Sequence, residues 1–155
     1  MTASGSSLPI VLLVGSGLTG GGAEGRFRTL AANLFDGSAD VAVFTATSGS
    51  VAEFGSRIVV LRWAGASSYP RLIWKLSQCL RARRYDVVVA FGLFPGVLIA
   101  LARLLASTST RYLYSEIASP IQALNELSGW RRLVYRRLWV FIARSYDFLS
   151  ANSKD

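Results

Sequence analysis

The chain has 155 residues, 52% of them hydrophobic and 17% charged, and 17 Lys and Arg against 9 Asp and Glu give a formal charge of +8. So apolar a composition excludes intrinsic disorder, and this length supports one domain, residues 1–155. There is no histidine and one cysteine, which excludes Ser-His-Asp and Cys-His catalysis, His-ligated metals, an internal disulfide and a cysteine zinc site.

Met1 to Ser7 is small and polar and lacks the Lys and Arg that open a signal peptide. Leu8–Val14 is a continuous apolar run closed by Gly15, the pattern of a strand buried on both faces. A Gly-rich stretch, Gly15–Gly25, follows. Phe27, Leu30, Ala31, Leu34 and Phe35 then recur at helical spacing until Asp36-Gly37. Val41–Thr47 and Arg57–Trp63 read as the second and third strands. Pro70 opens a helix with Leu72, Ile73, Leu76, Cys79 and Leu80 on its apolar face. Arg81, Arg83 and Arg84 crowd its last turn, where cations meet the negative end of the helix dipole.

The longest apolar stretch, Val87–Ala102, is interrupted by Gly92, Pro95 and Gly96. It is short of the roughly 20 residues that span a bilayer, and reads as a strand, Asp86–Phe91, turning into a helix, Pro95–Ala106. Arg111–Glu116 is a fifth strand, Pro120–Leu127 and Trp130–Arg144 are helical, and Asp147–Ala151 begins a last strand. Strands alternating with helices predict a Rossmann-like parallel sheet with helices on both faces. Ligands of such sheets lie beyond the carboxyl ends of the strands, here Gly15–Gly22, Thr45–Ser50, Gly92–Gly96 and Ser115–Ser119.

Charge is unevenly placed. Up to Pro70 four Arg balance four acids, so the whole +8 lies from Arg71 onward, and 15 of the 17 cations are Arg. Such a basic half points to a phosphate-bearing partner, since the guanidinium fork matches phosphate oxygens.

The strongest local signal is Val14–Arg26, VGSGLTGGGAEGR. Glycines admit close backbone approach, and N–H groups at the following helix start attract phosphate. Gly15, Gly17 and Gly20 satisfy G-x-G-x-x-G. A dinucleotide site also wants an acid ending the second strand, where this chain has Thr45, Ala46 and Thr47. A tight turn without any ligand is the plain alternative.

The opening LPIVLLVGSGLTGGGAEGRFRTLAANL resembles that of the family-four retaining glycosyltransferases, which have the GT-B fold. Gly20-Gly21-Gly22-Ala23-Glu24 and Leu30-Ala31-Ala32-Asn33-Leu34 carry the likeness. Tyr85-Asp86-Val87-Val88-Val89, Ser115-Glu116 and Ser150-Ala151-Asn152-Ser153-Lys154 follow in the family's order. The resemblance implies the N-terminal, acceptor-side domain. It places Gly20, Gly21 and Gly22 along the diphosphate of a nucleotide-sugar, which is substrate rather than cofactor, and it implies no cofactor and no metal. The loops holding Phe94, Ser115 and Glu116 would shape the acceptor pocket. Ile117 stands where many relatives have a histidine, and the chain stops before a donor-binding domain, so it is expected to be a fragment or split subunit, inactive alone.

Glu116 is the one carboxylate expected at a strand's carboxyl end, as an acceptor contact or as a helix cap near Ser119-Pro120. Glu24 suits the positive end of the first helix. Cys79 reads as a small buried apolar residue. Trp63, Trp74, Tyr112 and Tyr114 are read as core or interface. In Gly129–Ser145, Trp130, Val134, Leu138 and Phe141 form one stripe. Arg132, Arg136, Arg137 and Arg144 lie opposite, interleaved with Leu133, Trp139 and Val140. That outer face, with Arg132, Arg136, Arg137 and Trp139, suits an anionic membrane surface, or else packs on further structure.

The leading expectation is a glycosyltransferase half working on a lipid-linked or glycan acceptor in polysaccharide or glycolipid synthesis. It would be cytoplasmic and peripheral at the inner face of the cell membrane, with no nucleic acid expected. The alternative is a non-catalytic basic module that binds anionic membrane or nucleic acid; a nucleotide-cofactor oxidoreductase is a third.

Overall fold

The computed structural model describes residues 9–15, 22–35, 40–45, 59–62, 69–116 and 124–150. Six strands are β1 Ile10–Gly15, β2 Asp40–Thr45, β3 Val59–Arg62, β4 Val87–Phe91, β5 Arg111–Ser115 and β6 Phe148–Ser150. Four long helices are α1 Gly22–Phe35, α2 Tyr69–Ala82, α3 Leu93–Ala106 and α4 Gly129–Ser145. Every strand pairs in parallel, in the order β3-β2-β1-β4-β5-β6. This is the Rossmann order, in which the direction of winding reverses between β1 and β4 and opens a crevice at their carboxyl ends.

The two central strands are uninterrupted apolar runs because helices cover both of their faces. On one face Val11, Leu13, Val89 and Phe91 meet Phe27 and Ala31 of α1. On the other, Leu12, Val14, Val88 and Ala90 meet Leu72, Leu76 and Leu80 of α2, Leu98 and Ile99 of α3 and Ile142 of α4. Each of the Val, Leu, Ile and Phe side chains, fully buried, contributes about 1.5–3 kcal/mol relative to exposure. The expected sheet with helices on both faces is therefore the observed one. Strand β5 lies nearer the edge, so burial alternates: Tyr112 and Tyr114 are enclosed and Arg111 is exposed. Expected and observed ends differ by one or two residues; of the helix expected at Pro120–Leu127, residues 124–127 are described, of which 124–126 are helical and Leu127 is not.

Two aspartates staple the sheet in the same way. Asp86 precedes β4; its N–H donates to Ile10 O at 2.8 Å and its Oδ2 accepts from Ile10 N at 2.7 Å. Asp147 precedes β6 and repeats the exchange with Tyr112, at 2.9 and 2.7 Å. Each carboxylate thus serves the N–H of a neighbouring strand's residue where the ladder would otherwise run out.

Helix α3 starts from Gly92, whose φ of 82° suits glycine. Four residues on, Gly96 leaves the space that Tyr114 occupies: a Cβ there would lie 2.6 Å from Tyr114 Cε2 and 3.2 Å from Ile142 Cδ1. Tyr146, just past α4, donates its hydroxyl to Gly96 O at 2.8 Å. Sheet, α3 and α4 therefore meet at one glycine. Gly96→Ala is expected to destabilise the chain by about 1–3 kcal/mol in urea unfolding, because an overpacked methyl displaces a ring. Asp147→Ala is expected to cost more than Asp86→Ala, about 1–3 kcal/mol by the same measurement, since it strands the partly buried Tyr112 N–H and releases Arg103.

Candidate functional site

The carboxyl edge of the sheet is built in register. Gly15, Thr45 and Arg62 end β1, β2 and β3 at one level, and Phe91, Ser115 and Ser150 end β4, β5 and β6 at another matched level. Three backbone features fix the edge. Gly92 N donates to Ser115 O at 2.9 Å, Glu116 N donates to Ser150 O at 2.8 Å, and the turn into α3 begins directly after β4.

Helix α1 is aimed at this edge by one aromatic ring. Phe27 packs edge-to-face on Phe91, centroids 5.1 Å apart, and lies so close to Gly15 that a Cβ there would sit 3.2 Å from its ring. Gly22, the first residue of α1, is five positions upstream, so the helix's positive end belongs to the carboxyl edge, where an anion is favoured. Gly20 and Gly21, the rest of the expected diphosphate loop, lie outside the described residues.

The Gly92–Ser115 bond sets the turn that carries Phe94 beside the end of β5, where Ser115 and Glu116 lie. Phe94 is 39% exposed and meets Tyr69 edge-to-face, centroids 5.7 Å apart. Tyr69, itself 60% exposed, adds an aromatic that sequence reasoning passed over; its signal was its place just before the helix-opening Pro70. Glu116 is only 6% exposed, and its Oε2 accepts the hydroxyl proton of Tyr114. Its expected alternative, capping a helix at Ser119-Pro120, concerns residues outside those described.

Tyr114 is held in turn by Gly96, by Trp139 edge-to-face at 5.5 Å and by Tyr146 at 5.5 Å. Burial, and then the bond to Glu116, push its phenol far above the ordinary tyrosine range. Burial does the same to Tyr146 and to Tyr85, whose hydroxyl lies 3.3 Å from Cys79 Sγ. Burial also raises the Cys79 thiol, which makes it a poor nucleophile and fits its expected role as packing.

On α4 the expected stripe is corrected. Trp130 is 72% and Val134 45% exposed, while Trp139, expected on the outer face, packs against Tyr114 and the core. The contact face is Trp139, Ile142 and, as expected, Phe141, because the space left by Gly96 admits Ile142 and so fixes the helix's rotation. Arg132, Arg136, Arg137 and Arg144 are exposed together with Leu133 and Val140. Tyr112 and Tyr114 are core as expected; Trp74 is exposed on α2, and Trp63 lies outside the described residues. No helix among the described residues is long and apolar enough to cross a membrane.

A parallel sheet in Rossmann order, with the start of α1 at its carboxyl edge, defines an α/β domain of the nucleotide-binding fold class. Residues 21–155 match the model of the glycosyl transferase 4-like domain, and the chain belongs to that family. Among solved structures it is similar to Anabaena HepE in complex with UDP, with 21% identity and a TM-score of 0.67 over 93% of this chain and 38% of that one. It is similar also to Acinetobacter baumannii MurG, with 14% identity and a TM-score of 0.60 over 95% of this chain and 42% of that one. A third is the lipopolysaccharide outer core galactosyltransferase WaaB, with 14% identity and a TM-score of 0.57 over 81% of this chain and 37% of that one. At these identities the likeness is one of fold, and the chain spans less than half the length of these three structures. No curated protein matches the sequence.

The buried phenols give a pH expectation. Their folded pKa values lie above the unfolded value of 10.0, so the stability they confer is complete below pH 10 and is lost as pH rises above it. Tyrosinate absorbance of Tyr85, Tyr114 and Tyr146 is expected to appear together with loss of secondary structure. Titration of all the tyrosines in a still-folded chain would contradict the geometry.

Proposed function

We propose that this chain is the acceptor-binding half of a glycosyltransferase that moves a sugar from a nucleotide-sugar to a lipid-linked or glycan acceptor, at the inner face of the cell membrane. The observation that carries the reading is the family match across residues 21–155. UDP in the HepE complex supports a nucleotide-sugar as the donor, and the activity named for WaaB supports glycan synthesis as the setting.

The chemistry asked of these residues is electrostatic. As the glycosidic bond to the diphosphate breaks, negative charge grows on the leaving oxygen. Backbone N–H groups of Gly20, Gly21 and Gly22, backed by the positive end of α1, stabilise that charge more than they stabilise the bound donor. Phe94 offers an apolar wall and Ser115 a hydroxyl to the acceptor. Glu116, kept in place by Tyr114, accepts a hydrogen bond from an acceptor hydroxyl. A donor domain, in the same polypeptide or a partner chain, closes on the nucleotide from the other side. Arg132, Arg136 and Arg137, with Leu133 and Val140, rest on anionic headgroups and bring a lipid-linked acceptor to the edge.

Transfer of labelled sugar from nucleotide-sugars into a membrane extract tests the reading. The chain alone is expected to give no product, and the chain joined to a family donor domain is expected to give labelled product. Gly22→Val is expected to lower that rate more than tenfold, because a side chain intrudes on the diphosphate (about 1.4 kcal/mol per tenfold). Absence of product with every donor domain and nucleotide-sugar tried would overturn it.

A further inference from the structure

The opposite edge of the sheet has a chemistry of its own. Where β4 and β5 begin, a groove of about 900 Å³ opens between the end of α2 and the loop 107–110. Its charged lining is Arg81, Arg84, Arg111 and Asp86. Arg81 donates to Leu105 O, so it steadies the end of α3. Asp86 spends Oδ2 on Ile10 N, and its backbone oxygen accepts from Arg111 N at 3.2 Å, which holds Arg111 beside it. One partly used carboxylate therefore faces three guanidiniums. Neither Arg84 nor the Arg111 side chain has a partner among the described residues, and the same is true of the hydroxyls of Ser107, Ser109 and Thr110.

Gathering three cations around one carboxylate costs folding energy through like-charge repulsion, and an anion that enters a concave site offsets it. Phosphate fits this donor set: two guanidinium forks match its oxygens, and the hydroxyls can donate to those that remain. The neighbouring groove shows the contrast. There Arg103 stands 3.3 Å from Asp147 Oδ1, lies over the Tyr112 ring and donates to Ser145 O, so its charge is already answered.

We propose that the amino edge of the sheet holds a phosphate-bearing ligand, gripped by Arg84 and Arg111 with the hydroxyls of the Ser107–Thr110 loop. The site goes beyond sugar transfer: it lies a full strand away from the carboxyl edge, roughly 15 Å for a strand of five residues. Its failure would leave the transferase reading untouched.

Amide shifts of the labelled full chain, followed while inorganic pyrophosphate or monomeric dihexanoyl phosphatidic acid is added, test the proposal. Shifts that saturate at residues 84 and 107–111 are expected, and the tighter of the two probes identifies a free phosphate or a lipid headgroup as the source. Arg84→Gln with Arg111→Gln is expected to weaken that binding about tenfold and to leave the melting temperature unchanged or raised, since neither guanidinium bonds within the fold. Shifts confined to the Gly20–Gly25 region, or binding at residues 107–111 that the double variant retains, would overturn it.

Discussion

Phe27 seats the first helix on the sheet. Its ring fits against Gly15 because glycine has no Cβ, and it meets the edge of Phe91 on the next strand. Those two strands flank the point at which the sheet's winding reverses. One ring thereby ties the crevice to the start of α1. Without that seat, the first turn of α1, from Gly22, would have no fixed relation to the strand ends.

A second junction orders the other face. Tyr114 fills the space at Gly96, touches Trp139 and Tyr146, and donates its hydroxyl to Glu116. A core residue and a site residue are thus one bonded unit, two positions apart on the chain. Glu116 is buried because its partner is part of the core. The carboxylate is consequently held in one position.

The acids and the arginines divide the labour. Asp86 and Asp147 precede strands and each gives one oxygen to a backbone N–H; the other oxygen of Asp147 meets Arg103. The matched Tyr-Asp pairs, Tyr85-Asp86 and Tyr146-Asp147, were present in the sequence as a repeat of two residues. Only the parallel ladder showed that both perform the same bond exchange. The net charge of the chain's second half is therefore a surface property, expressed at the outside of α4 and at the amino edge.

Order and type of elements were legible because strand and helix periods are local: LPIVLLV and DVVVAF alternate with helices whose apolar faces recur every three or four residues. The Ser-Glu pair and the family likeness were legible for the same reason. Rotation of α4 was not. Its sequence offers two apolar stripes of similar strength, and a cavity made by Gly96 on another helix chose the one bearing Trp139 and Ile142. Tyr69 beside Phe94, Tyr114 on Glu116, and Arg84 with Arg111 across one groove join residues 25, 2 and 27 positions apart. Pattern within a segment states what each piece is. Which side chains meet follows from packing between segments, where shape and burial, summed over the whole molecule, make the choice.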